Sequence, residues 1–64
     1  MEKYKHYKGG IYEYMFTATH SETEEELVIY RNSENRIFAR PYKMFFEKVN
    51  IDGVEIPRFK KMEE

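Results

Sequence analysis

The chain has 64 residues, a formal net charge of −1 and no cysteine. That length holds one domain, numbered 1–64 throughout, and leaves no room for a second. Neither a disulfide nor a thiolate zinc site is available, and a near-neutral balance gives no overall field to draw in nucleic acid or anionic membrane.

No apolar run reaches the length of a signal peptide or a membrane span, which predicts a soluble, cytoplasmic protein. A domain this small buries only about 60% of its unfolded surface, so a stability of a few kcal/mol is expected. Six Tyr and five Phe are the natural compensation, since each ring can bury roughly 150–250 Å².

Residues 1–8 mix bases with rings and lack helical periodicity; Lys3, Lys5, His6 and Lys8 make this stretch basic. Gly9-Gly10 punctuates it, because glycine permits positive φ at a turn. Ile11 to Thr19 is rich in β-branched and aromatic residues and reads as a strand. Strict alternation puts Ile11, Met15, Thr17 and Thr19 on one side and Tyr12, Tyr14, Phe16 and Ala18 on the other.

His20 to Glu26 reads as an acidic loop. Ser21 and Glu24 have capping-box spacing, but Val28-Ile29-Tyr30 follows too soon for more than a turn of helix, so a strand from about Glu25 to Arg31 is expected. Asn32-Ser33-Glu34-Asn35 is a turn cluster, and Arg36 to Arg40 alternates as a further strand. Pro41 stops the ladder and suits the first position of a single helical turn over residues 41–46.

Asp52-Gly53, between Val49-Asn50-Ile51 and Val54-Glu55-Ile56, is the strongest local signal. Asp-Gly favours a two-residue type I′ turn. It sets Ile51 opposite Val54 and Val49 opposite Ile56, which places all four aliphatics on one face expected to be buried. About residues 4–60 are expected to be ordered, with the charged tail at 61–64 frayed. Short strands joined by turns predict an all-β barrel or roll with one short helical turn.

Several stretches together resemble a known family: Tyr4-Lys5-His6-Tyr7-Lys8-Gly9-Gly10-Ile11-Tyr12-Glu13, Ala18-Thr19-His20-Ser21-Glu22-Thr23, Val28-Ile29-Tyr30, Ala39-Arg40-Pro41, Met44-Phe45-Phe46-Glu47-Lys48-Val49, Asp52-Gly53-Val54 and Pro57-Arg58-Phe59. Their order and spacing resemble the domain-of-unknown-function 1653 family. The resemblance implies a five-stranded SH3-like barrel and a bacterial cytosolic setting, and it implies no activity. Phe38 departs from the Trp expected at that place, a ring-for-ring change.

No motif reaches the standard of a catalytic, metal or cofactor signature. His6 and His20 could serve as general acid and base in a small hydrolase or nuclease; the plainer reading is two solvated loop histidines, and they lack a third ligand at metal spacing. Arg40 and Arg58 each adjoin a proline and offer planar forks for carboxylate or phosphate. Their plainer reading is an internal ion pair with Glu13, Glu26 or Glu47. The acidic stretch Glu22 to Glu26 reads as a solvated loop, and most of the tyrosines read as core or core rim.

A non-catalytic binding module is the expectation that follows, with Arg40, Arg58, His20, Tyr7 and Tyr30 as candidate ligand contacts. The ligand would be a peptide, a partner protein or a nucleic acid held by the basic N-terminal stretch. No membrane role is expected, and the domain would be a monomer or a weak homodimer.

Overall fold

The computed structural model describes residues 1–63; the part of the expected frayed tail that falls on Glu64 lies outside them. Seven strands and one helical turn follow in order. They are β1 (Glu2–His6), β2 (Ile11–Thr19), β3 (Glu26–Arg31), β4 (Ile37–Pro41), α1 (Tyr42–Phe45), β5 (Lys48–Ile51), β6 (Val54–Pro57) and β7 (Phe59–Lys61).

Five strands form one antiparallel sheet in the order β4-β3-β2-β1-β7, and β5 and β6 pair separately as a hairpin. The fold is therefore nearly all-β, as expected, but it has seven strands in two sheets in place of five in a closed barrel. The extra strands arise in two ways. The Asp52-Gly53 hairpin pairs with itself instead of joining the main sheet, and the charged ends of the chain, Glu2–His6 and Phe59–Lys61, pair with each other. Lys61 lies within β7 and the Met62 N–H donates to the Lys3 carbonyl at 2.8 Å, so the tail is paired as far as Met62.

The turns follow from their residues. Gly9 takes φ 108° between β1 and β2, where few side chains could follow. In the β3–β4 turn Asn32 Oδ1 accepts from the Glu34 and Arg36 N–H groups, both at 2.9 Å, the Asx geometry that its side chain favours. Pro41 has ψ 135°, so it remains the last extended residue of β4 and the N-cap of α1, one position earlier than the sequence suggests.

The hairpin has the expected register, Ile51 opposite Val54 and Val49 opposite Ile56. Asp52 (φ 51°) and Gly53 (φ 83°) both lie in the left-handed region that a type I′ turn requires. Its apolar face, however, is not buried: Val54 and Ile51 are 60% and 41% exposed, and Val49 and Ile56 are half-buried. The ribbon pairs only with itself, and toward its tip, at Ile51 and Val54, the apolar face stays uncovered.

A β-bulge between Tyr14 and Phe16 overturns the strict alternation expected for β2. Tyr14 pairs with Tyr30, but Phe16 pairs with Ile29. Met15 is the extra residue, and beyond it the faces exchange. Tyr12 and Tyr14 join the face of Val28 and Tyr30, while Phe16 leaves it and is 53% exposed.

Five of the described residues are buried, Tyr4, Val28, Tyr30, Phe45 and Phe59, with Tyr12, Tyr14 and Phe38 packed against them. Rings thus supply nearly the whole core, as the composition suggests. α1 contributes Phe45, which is fully buried over the sheet.

Candidate functional site

β1 ends in His6, and its register sets His6 opposite Phe59 of β7. The two rings lie 4.9 Å apart, edge to face, and the Tyr7 ring is 4.6 Å from His6 on its other flank. From the far side of the sheet, β4 delivers Arg40 to the same place. Arg40 pairs with Val28, so it shares the core face. Its guanidinium carbon stands 5.6 Å from the Phe59 ring centroid, and its Nε–H donates to Tyr30 Oη at 3.1 Å.

Arg58 comes from the bend between β6 and β7. Its carbonyl accepts the Tyr7 N–H at 3.0 Å, and its own N–H donates to the Glu47 carbonyl at 3.0 Å. One guanidinium nitrogen pairs with Glu47 Oε1 at 2.8 Å, while Nε is buried with no acceptor among the described residues. Lys8, in the β1–β2 turn, holds its ammonium 5.8 Å from the Tyr7 centroid.

This setting acts on His6. Burial lowers its pKa, and the charges of Arg40, Arg58 and Lys8 lower it further. Its Nδ1 accepts the Lys8 N–H at 3.1 Å, which also suits the neutral ring. An electropositive, ring-walled site that resists taking up a proton can hold an anion. An anion there would offset the repulsion from those three cations.

The two arginines have different partners. Arg58 has the internal carboxylate expected of it, Glu47. Among the described residues Arg40 has no ion pair; Glu13 is taken by Arg31 at 3.3 Å. Tyr30 is only 4% exposed, so it orients Arg40 from within the core instead of facing a ligand. Tyr7 is half-buried beside His6.

His20 stands apart. It follows Thr19 at one end of β2, while His6 lies beside Gly10 at the other. Nine extended residues separate the two histidines, on the order of 25 Å of strand. They cannot meet on one substrate, which overturns the acid–base pair. His20 instead closes its own loop: Nδ1 accepts from the Glu22 and Thr23 N–H groups at 3.2 and 3.3 Å. Among the described residues no group of three or more His, Cys, Asp or Glu could hold a metal ion, and no helix is long and apolar enough to cross a membrane.

Beside this cluster runs a groove of about 540 Å³ along β1 and β7, with Lys5, His6, Tyr7 and Lys60 among its walls. Lys60 and Phe59 carry no mark of a site in the sequence. They join the site only through the β1–β7 pairing, which brings distant parts of the chain together.

The family model described as protein of unknown function (DUF1653) matches residues 2–61. The chain belongs to the DUF1653 family. All of the residues of the cluster, from His6 to Phe59, lie within the matched span, so the DUF1653 domain includes the whole site. No curated protein and no solved structure matches the chain.

Proposed function

We propose that this DUF1653 domain is a non-catalytic binding module of SH3-like build whose ligand carries an anionic group. The observation that carries the reading is Arg40, a half-buried arginine held between the Phe59 ring and the Tyr30 hydroxyl with no carboxylate partner among the described residues. A guanidinium cannot shed its proton, and holding one in place beside His6 and Arg58 makes a ready seat for an anion. The separation of His6 from His20 removes the one acid–base pair that favoured an enzyme. The SH3-like description is supported by the antiparallel run β1 to β4, the short helical turn after it, and the return of the last strand beside the first. A cytoplasmic setting belongs to the same reading and rests on the family resemblance.

Replacement of Arg40 by Met keeps the stem and deletes the charge. Inorganic tripolyphosphate, followed by amide shifts, is expected to perturb His6, Arg40 and Phe59 in the parent. In Arg40→Met it should bind at least tenfold more weakly, with folding changed by about 1 kcal/mol, the scale of one hydrogen bond. Unaltered tripolyphosphate binding in the variant, or none in the parent, would sink the proposal.

A further inference from the structure

On the face of the sheet opposite the core, Lys3 and Lys5 follow one another along β1, because alternate residues share a face, and Tyr7 opens the turn just past it. The register sets Lys60 of β7 directly opposite Lys5. Like charges so placed destabilise a ladder, and among the described residues neither lysine has an ion-pair partner. Lys61, by contrast, is matched by Glu2 at 3.2 Å. The groove runs over this pair; Tyr7, Ile56 and Met62 give it apolar walls, and Glu63 is the one acidic residue among those lining it.

We propose that the groove binds single-stranded nucleic acid, with phosphates on the Lys5–Lys60 pair and on Lys3, and a base against Tyr7 and the apolar wall. The inference goes beyond the anion-binding reading above: Arg40 shares the core face, and these lysines stand on the other face of the sheet. Lys3 and Lys5 are two residues apart, about 6.6 Å along a strand, a step comparable to that between successive phosphates of an extended strand. Lys8 stands beside the Tyr7 ring, so a base stacked there has an ammonium near its own phosphate. An acidic peptide is the rival occupant. Its usual grip is a ladder along a free sheet edge, and β7 offers three residues, the first of them the buried Phe59. Nucleic acid needs no such ladder, only charge and rings.

Binding of a short fluorescent oligothymidylate, read by anisotropy between about 50 and 200 mM salt, tests this. Three phosphate contacts predict a log–log salt slope of about −2 for a single strand. The Lys5→Gln, Lys60→Gln double variant should bind about tenfold more weakly with a slope shallower by roughly 1.4. The same variant should melt no lower than the parent, because it removes a like-charge pair, so lost binding cannot be blamed on unfolding. Tyr7→Leu should weaken binding with the slope unchanged.

Three results overturn the inference. If tripolyphosphate binds and depends on Arg40 but the oligonucleotide does not bind, the anion-binding reading stands and this one falls. If polyglutamate displaces the oligonucleotide at equal charge concentration, the occupant is an acidic polypeptide. If neither tripolyphosphate nor the oligonucleotide binds, both readings fall together.

Discussion

The rings of Phe45 and Phe59 lie parallel, 3° apart in plane with centroids 4.1 Å apart. This contact joins α1, the one helical turn among the described residues, to β7, and both rings are almost wholly buried. Tyr4 and Tyr30 each meet Phe45 edge-on at 5.3 Å. The helical turn therefore acts as a plug that seats one ring among the rings of the sheet.

Removing that ring should unfold the domain. Phe→Ala in a core costs about 3–5 kcal/mol, and a domain of this length holds roughly 3–10 kcal/mol in all. Phe45→Ala is expected to be largely unfolded at room temperature by near-ultraviolet circular dichroism. Phe16→Ala is the control: its ring is 53% exposed, and its unfolding free energy from a urea melt should match the parent within about 0.5 kcal/mol. A cooperative, native-like melt of Phe45→Ala would show that the plug is dispensable.

Gly53→Val tests the hairpin. A β-branched residue resists positive φ, so the type I′ turn should fail. Because Ile51 and Val54 are exposed and the hairpin pairs only with itself, the loss should stay local. Amide exchange is expected to accelerate from Lys48 to Ile56 while the amides of β2 and β3 remain protected. Loss of protection across the whole sheet would mean that the hairpin is part of the global fold.

Glu24 holds φ 62° in the acidic loop, a strained value for a non-glycine residue. Glu24→Gly should raise the melting temperature modestly, by relief worth at most about 1 kcal/mol. Glu24→Gln keeps the backbone strain and drops only an exposed charge, and should lie within about 0.5 kcal/mol of the parent. A large loss on neutralisation would reveal a structural role for the carboxylate.

His6 gives the domain a pH dependence of known sign. Its folded pKa lies below the ordinary value of about 6.5. The unfolded chain therefore takes up the proton first as pH falls. The contribution of His6 to stability is complete above the unfolded value and declines as pH drops from there toward the folded one. Urea midpoints at neutral and mildly acid pH should diverge in the parent and diverge less in His6→Gln. A bound anion offsets the charges of Arg40, Arg58 and Lys8, so tripolyphosphate affinity should rise as pH falls through the same window. An equal pH response in parent and variant would remove His6 from the site.

Local chemistry made some of this legible and long-range pairing hid the rest. Asp52-Gly53 announces its hairpin because both positions need positive φ, and Asn32 announces its turn through its side chain. Glu2–His6 and Phe59–Lys61 gave no such sign. They are mostly lysine and glutamate, residues depleted in strands, and only their partnership makes them strands. The bulge at Met15 was also hidden, since both faces of β2 carry apolar residues and no pattern breaks when they exchange. Arg40 stands out in the sequence for its place beside Pro41, but only the β3–β4 register and the return of β7 reveal Phe59 beneath it. His20 looked like a site residue because its type is versatile; its loop uses that versatility for backbone hydrogen bonds.

The acidic loop from Glu22 to Glu26 and the lysines and arginines around β1 and β7 occupy opposite ends of β2. With a net charge of only −1, the molecule has almost no monopole, and these two groups contribute a dipole component along that strand. A dipole does not pull a small protein far through solution; it turns it. In the field of a polyanion the domain would arrive basic end first, with the glutamates trailing, so that collisions are sorted before contact. That torque reaches only about 8–10 Å at physiological ionic strength, so added salt should slow association and leave the fold intact.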